Sequence, residues 1–155
     1  MAFIRKKKIK VYEYAYLVEN RWKKRPKKGS RQKVKEFLGR VYKPELKNDL
    51  GFVKEVDYVK NNSFRQIVKD LVEFELLKHN VKDFFVDFDK NFVLRNNRKV
   101  ALQINEGFLC NYTLKNLLNF KLGGEEAGYS LAKAFVEAGI KVPQELFVKI
   151  FEKLS

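Results

Sequence analysis

Apolar and polar positions alternate with a period of two near the front of the chain. In VYEYAYLVEN, residues 11–20, Tyr12, Tyr14, Tyr16 and Val18 fall on one face, and Val11, Ala15 and Leu17 on the other. That spacing, with its β-branched and aromatic enrichment, predicts a strand. The run before it, FIRKKKIKV, either pairs with this strand or extends it. A second alternation follows in RQKVKEFLGRVY, residues 31–42, with Val34, Glu36 and Leu38 set against Lys33, Lys35 and Phe37. Gly39 marks a bulge or the end of that strand. Pro26 and Gly29 punctuate the stretch between the two runs. The pattern predicts a small antiparallel sheet that presents a long basic hairpin loop over residues 21–35. At least two of Tyr12, Tyr14 and Tyr16 are expected to pack this sheet onto the rest of the protein.

After a junction over KPELKNDLGFVKEVDY, the period changes to that of a helix. Phe64, Ile67, Val68, Leu71, Val72 and Phe74 recur at helical spacing behind Ser63, a suitable N-cap. Residues 83–110 return to alternation, Phe84, Val86 and Phe88 against Phe85, Asp87 and Asp89, then a turn at NNRK and Val100, Leu102 and Ile104. Two or three antiparallel strands are expected there. The end of the chain is helical: NYTLKNLLNFKL, then EEAGYSLAKAFVEAGI with Gly139 at its C′ position, then PQELFVKIFEKL opened by Pro143. The predicted class is α+β: a basic antiparallel β module over residues 1–47, then a region over 48–155 ending in a helical hairpin. That hairpin invites a helix-turn-helix reading. Its second helix, however, offers Leu146, Phe147, Ile150 and Phe151, which are packing residues rather than readers of base edges.

Charge changes the picture more than composition does. At 155 residues, 45% hydrophobic, with fourteen Phe and seven Tyr, the chain is apolar enough for a folded domain. No segment approaches the roughly 20 uncharged apolar residues of a membrane span. MAFIRKKKIKVYEY lacks the apolar core of a secretory signal, so a cytoplasmic protein without membrane contact is expected. Cys110 and His79, single residues of their kinds, exclude an internal disulfide and a structural zinc site. Residues 1–47, however, hold 17 Lys or Arg against 4 Glu, while residues 48–155 hold 16 against 15 Asp or Glu. The whole excess of +14 thus lies almost entirely in the first third. Like charges at this density repel one another, so a folded module that carries them points to an anionic ligand such as a phosphate backbone.

YAYLVENRW followed by GSRQKVKEFLGR resembles the short N-terminal β module of prokaryotic and archaeal transposases of the acidic-triad type. The likeness rests on Tyr14, Tyr16, Leu17, Val18, Glu19, Lys33, Leu38 and Gly39 and spans residues 3–42. It implies contact with nucleic acid and does not extend to transposition itself.

The residues expected to make that contact are Lys6, Lys7, Lys8, Arg21, Trp22, Lys23, Lys24, Arg25, Lys27, Lys28, Arg31, Lys33, Lys35 and Arg40. Arginines offer bidentate forks to phosphate and lysines point charges, while Trp22 could stack on an exposed base. Structured RNA, in a ribosomal or other ribonucleoprotein setting, is favoured slightly over duplex DNA, because no helix is suited to the major groove. Residues 48–155 would then be a near-neutral scaffold or a docking surface for a protein partner.

Catalytic readings are weaker. Asp87 and Asp89, with Glu75 or Glu106, could hold Mg²⁺ for phosphodiester cleavage, but alternating Asp residues equally mark the wet face of a strand. His79 suits a helix C-terminus, Cys110 in GFLCNY a buried position, and LGGEE a turn. The expectation is a protein that is not an enzyme and needs no cofactor or metal.

Overall fold

The structure, a computed structural model, describes residues 2–22 and 30–155, with only the backbone for residues 21, 22, 30 and 31. The described residues form seven strands and five helices in an α+β arrangement. β1 (Ala2–Ile9), β2 (Tyr12–Trp22) and β3 (Ser30–Tyr42) come first. Next are α1 (Tyr58–Asn61), α2 (Phe64–Lys78), β4 (Phe85–Asp87), β5 (Phe92–Arg95), β6 (Arg98–Ile104) and β7 (Gly107–Leu109). α3 (Asn111–Leu118), α4 (Ala127–Glu137) and α5 (Gln144–Leu154) complete the chain.

Local chemistry sets most of these boundaries. Lys10 turns β1 into β2 at φ 57°, and Asn96 and Asn97, both left-handed, turn β5 into β6. The second is the backbone a two-residue hairpin requires, and Asn tolerates it best among residues with a side chain. Ser63 caps α2 by accepting the Gln66 N–H at 3.1 Å. Thr113 Oγ1 accepts the Cys110 N–H at 3.1 Å at the start of α3. Gly139, at φ 76°, closes α4 as expected. Pro143 takes the N-cap of α5, one place ahead of its first turn.

β1, β2 and β3 pair antiparallel in sequence order. The far end of β3 then pairs with β6, Arg40 to Tyr42 beside Val100 to Leu102, and this pairing is parallel. β5 and β4 continue the order outward, and β7 pairs the other end of β6. A single mixed sheet therefore runs across residue 47, where the Lys47 and Asn48 N–H groups also donate to Lys78 O at 2.9 and 3.0 Å.

The parallel join depends on Gly39. Its φ is 117°, and a Cβ there would lie 2.3 Å from Lys99 O. Only glycine allows β3 this backbone and this approach to β6. The register between β2 and β3 slips twice, between Ala15 and Tyr16 and between Leu17 and Val18, leaving Leu38 and Lys35 as extra residues on β3. These bulges overturn the simple alternation expected of residues 31–42. Val34, Phe37 and Arg40 lie opposite Val18, Tyr16 and Tyr14 and share their face, while Leu38 turns to the other side with Ala15 and Leu17.

One face of the sheet is covered over β6 and β5 by the helices. Ile67, Val68, Leu71 and Val72 of α2 meet Val100, Leu102 and Ile104 there, joined by Leu114, Leu131, Phe135 and Ile150 from α3, α4 and α5. Each such aliphatic side chain contributes about 1.5–3 kcal/mol on burial. The opposite face holds a smaller cluster of Ala15, Leu17, Leu38, Val41, Ala101 and Cys110. Burial pushes the Cys110 thiol pKa up, so it acts as a small apolar filler.

A buried carboxylate ties these layers together. Glu75 on α2 accepts from Lys78 Nζ at 3.1 Å, from the Lys141 N–H at 3.2 Å and from Asn105 Nδ2 at 3.2 Å. It thus fastens α2 to the β6–β7 turn and to the connection between α4 and α5. His79, at the C-terminus of α2 as expected, places Nδ1 2.8 Å from Glu75 O.

Candidate nucleic-acid interface

The three N-terminal strands present two faces of different character. Lys6 and Lys8 of β1 share a face with Ala15 and Leu17. There Lys6 Nζ bonds Glu13 Oε2 at 3.0 Å and Gln103 Oε1 at 3.1 Å, so it also braces β1 against β6. Lys43 reaches the same carboxylate at 3.2 Å. These two ammonium groups, Lys6 foremost, hold the Glu13 carboxyl below its ordinary pKa. Lys35 pairs with Glu19 at 2.7 Å, and Lys99 with Glu36 at 3.7 Å.

The outward face is aromatic and cationic. Arg5 and Lys7 lie opposite Tyr16 and Tyr14, and across β2 these tyrosines face Phe37 and Arg40. The Phe37 ring centroid is 5.4 Å from that of Tyr16 and 6.1 Å from that of Tyr14. The Arg40 guanidinium sits 3.6 Å over the Tyr12 ring and 4.8 Å from that of Tyr42, so its planar cation is stacked on aromatic faces. Arg5 donates to Gln32 Oε1. Phe37 is 47% exposed, Tyr12 44% and Val34 57%.

The expected packing role of the tyrosine stripe is not what the structure contains. Tyr12, Tyr14 and Tyr16 belong to neither core cluster and line this open face instead. The face passes without interruption into the helix-covered half, since Arg40 and Tyr42 pair beside Val100 and Leu102.

The expected contact residues divide accordingly. Lys7 and Arg40 stand on the aromatic face, while Lys6 and Lys35 are held by carboxylates on the other. Among the described residues, Lys7, Lys8 and Lys33 have no carboxylate partner. Arg21 pairs with Arg31 and Trp22 with Ser30, on backbone alone, so residues 21, 22 and 30–35 of the expected loop are strand instead, the ladder of β2 and β3 running further than the alternation suggested. Lys23, Lys24, Arg25, Lys27 and Lys28 lie outside the described residues. Arg5 and Phe37 escaped the sequence reading. For Arg5 the available signal was its alternation with Lys7 beside a tyrosine strand; for Phe37 the bulges hid the facing.

Elsewhere, Asp87 Oδ1 accepts the N–H groups of Asp89 and Lys90, both at 3.0 Å, and so shapes the β4–β5 turn. Asp89 points into solvent and pairs with Arg65 at 3.3 Å. Among the described residues no three His, Cys, Asp or Glu side chains come together as a metal site, and no helix is long and apolar enough to cross a membrane. Ile150 of α5 is buried, and Leu146, Phe147 and Phe151 pack against the main core. An open apolar groove of about 620 Å³ lies between α2 and the α4–α5 connection, lined by Phe52, Phe74, Phe135, Ile140 and Phe147 among others. No protein family, curated protein or solved structure matches the chain significantly.

Proposed function

We propose that the protein is a non-enzymatic, cytoplasmic nucleic-acid-binding protein that grips the phosphate backbone through β1–β3 and the basic loop between β2 and β3. The observation that carries this reading is the local charge balance. The three carboxylates on these strands, Glu13, Glu19 and Glu36, are each taken by lysines, and cations still remain on both faces. Without an anionic ligand that surplus only repels itself. The likeness of residues 3–42 to a transposase β module belongs to the same reading. Structured RNA in a ribonucleoprotein is favoured over duplex DNA, because the helices spend their apolar faces on the core and offer no major-groove reader. A protein partner of residues 48–155 would have the apolar groove beside α2 to occupy.

The test is binding of structured RNA and duplex DNA across a salt series. Wild type is compared with a variant in which Lys23, Lys24, Arg25, Lys27 and Lys28 are changed to Gln. With four to six phosphates contacted, log K falls against log salt with a slope of about −4 to −5 on duplex DNA. The variant binds weakly and with a shallower slope. Equal binding by both proteins would reject the loop as a contact.

A further inference from the structure

The outward face of β1–β3 carries rings as well as charge, and the rings suit a ligand that phosphate attraction alone does not select. Tyr14 and Tyr16 stand two residues apart on one side of a strand, a separation of about 7 Å, with Phe37 beside both. Rings at that spacing receive the splayed bases of an unpaired strand, since every base has a π face to stack. In a duplex those faces are already stacked on one another and only edges and backbone are offered. Arg5, Lys7 and Arg40 border the rings and lie within the same face, where the phosphates linking such bases would run. Among the described residues nothing hydrogen-bonds the hydroxyls of Tyr12, Tyr14 or Tyr16, which leaves donors and acceptors for a ribose 2′-hydroxyl. A second copy of the chain fits less well, because stacking this face on itself would set like charges against one another.

We propose that this open face is a stacking site for a single-stranded RNA segment, distinct from the basic loop, which would hold backbone of any kind. The inference rests on the nucleic-acid reading above. It adds that unpaired bases are read on the sheet.

The experiment uses the full chain and three probes: an unstructured RNA of about 12 nucleotides, within the usual span of such sites, the same sequence as DNA, and an RNA duplex. Wild type is set beside the double variant Tyr16→Leu with Phe37→Leu, beside Phe37→Trp, and beside the loop variant. Leucine keeps apolar bulk on the strand and removes the rings, and far-UV circular dichroism and melting check that the fold is kept. The expected result is a loss of about 10- to 100-fold for the RNA strand in the double variant. Duplex affinity and salt slope stay unchanged, and Phe37→Trp binds as wild type does. Undiminished strand binding by the folded double variant, or wild type preferring the duplex, would overturn the stacking site. Equal affinity for the DNA strand would overturn its assignment to RNA. Failure of the underlying reading looks different: no probe binds with a salt slope, and the loop variant behaves as wild type on all three.

Discussion

On β6, Val100, Leu102 and Ile104 point to the same side of the sheet as Tyr14, Tyr16, Phe37 and Arg40 on β2 and β3. Over β6 that side disappears beneath α2 and the C-terminal helices, and its residues are almost wholly buried. Over β1–β3 the exposed Tyr12, Val34 and Phe37, the half-buried Tyr14 and Tyr16 and the buried Val18 are interleaved with Arg5, Lys7 and Arg40. The two halves differ less in how apolar they are than in whether a charge stands beside each apolar group. Helices cover the half whose strand residues are Val100, Leu102 and Ile104, and Lys78, the cation buried beneath them, is paired with Glu75. The other half keeps water, because covering Arg5 and Lys7 without carboxylate partners would cost several kcal/mol per ion.

The sharpest way to break the comparison is to attack the covered half through its one buried carboxylate. Glu75→Ala leaves the Lys78 ammonium buried without its partner and removes acceptors from Asn105 and the Lys141 N–H. A loss of about 3–5 kcal/mol is expected, which for a domain of this length lowers Tm by roughly 10 °C or more. Glu75→Gln, which keeps one acceptor oxygen, should cost less. Thermal melting of the two variants measures both. A change of under 1 kcal/mol for Glu75→Ala would mean that Glu75 does not tie α2 to the turns beyond β6 and α4.

The next test is aimed at the seam. Gly39→Ala introduces a Cβ 2.3 Å from Lys99 O at a backbone angle that alanine seldom adopts. Strain and overlap together should cost about 2–4 kcal/mol. The damage should be local in one respect: amide exchange should rise first at Val100 to Leu102, whose ladder with β3 is forced apart, before it rises within α2. Uniform loss of protection in both halves would show that they unfold as one unit.

How much of this was readable beforehand follows from which interactions are local. Ser63, the Ile67–Val72 stripe, the NNRK turn and Gly139 signal through near neighbours, and α2, the β5–β6 hairpin and the end of α4 were legible from them. The parallel pairing of β3 with β6 joins residues about 60 positions apart, and no local signal announces such a contact. The two bulges defeat a strict period-two reading of residues 31–42, because plain alternation puts Phe37 with Lys33 and Lys35. The tyrosine stripe was legible as a face of a strand but not as an open one. Alternation shows which residues share a side; it does not show whether anything lies over it. Among the expected contact residues, the sequence distinguished charge from its absence, but only geometry separates Lys6, braced by Glu13 and Gln103, from Lys7, which has no carboxylate partner among the described residues.

The smallest effect tests that last distinction. Glu13→Gln removes the carboxylate shared by Lys6 and Lys43 and releases two cations at the edge of the proposed interface. Stability should change little, since all three groups are solvent-accessible. The sign with pH is fixed: the folded-state pKa of Glu13 lies below its unfolded value, so the bridge contributes above the ordinary carboxylate range and is lost as pH falls through the lowered value. Wild type and Glu13→Gln should therefore differ slightly in Tm at neutral pH and converge in acid. On nucleic acid the expected change is opposite in direction, tighter binding with a salt slope steeper by about 0.9 for each additional phosphate engaged on duplex DNA. An unchanged slope would place Lys6 and Lys43 outside the path of the backbone and confine the contact to the loop and the aromatic face.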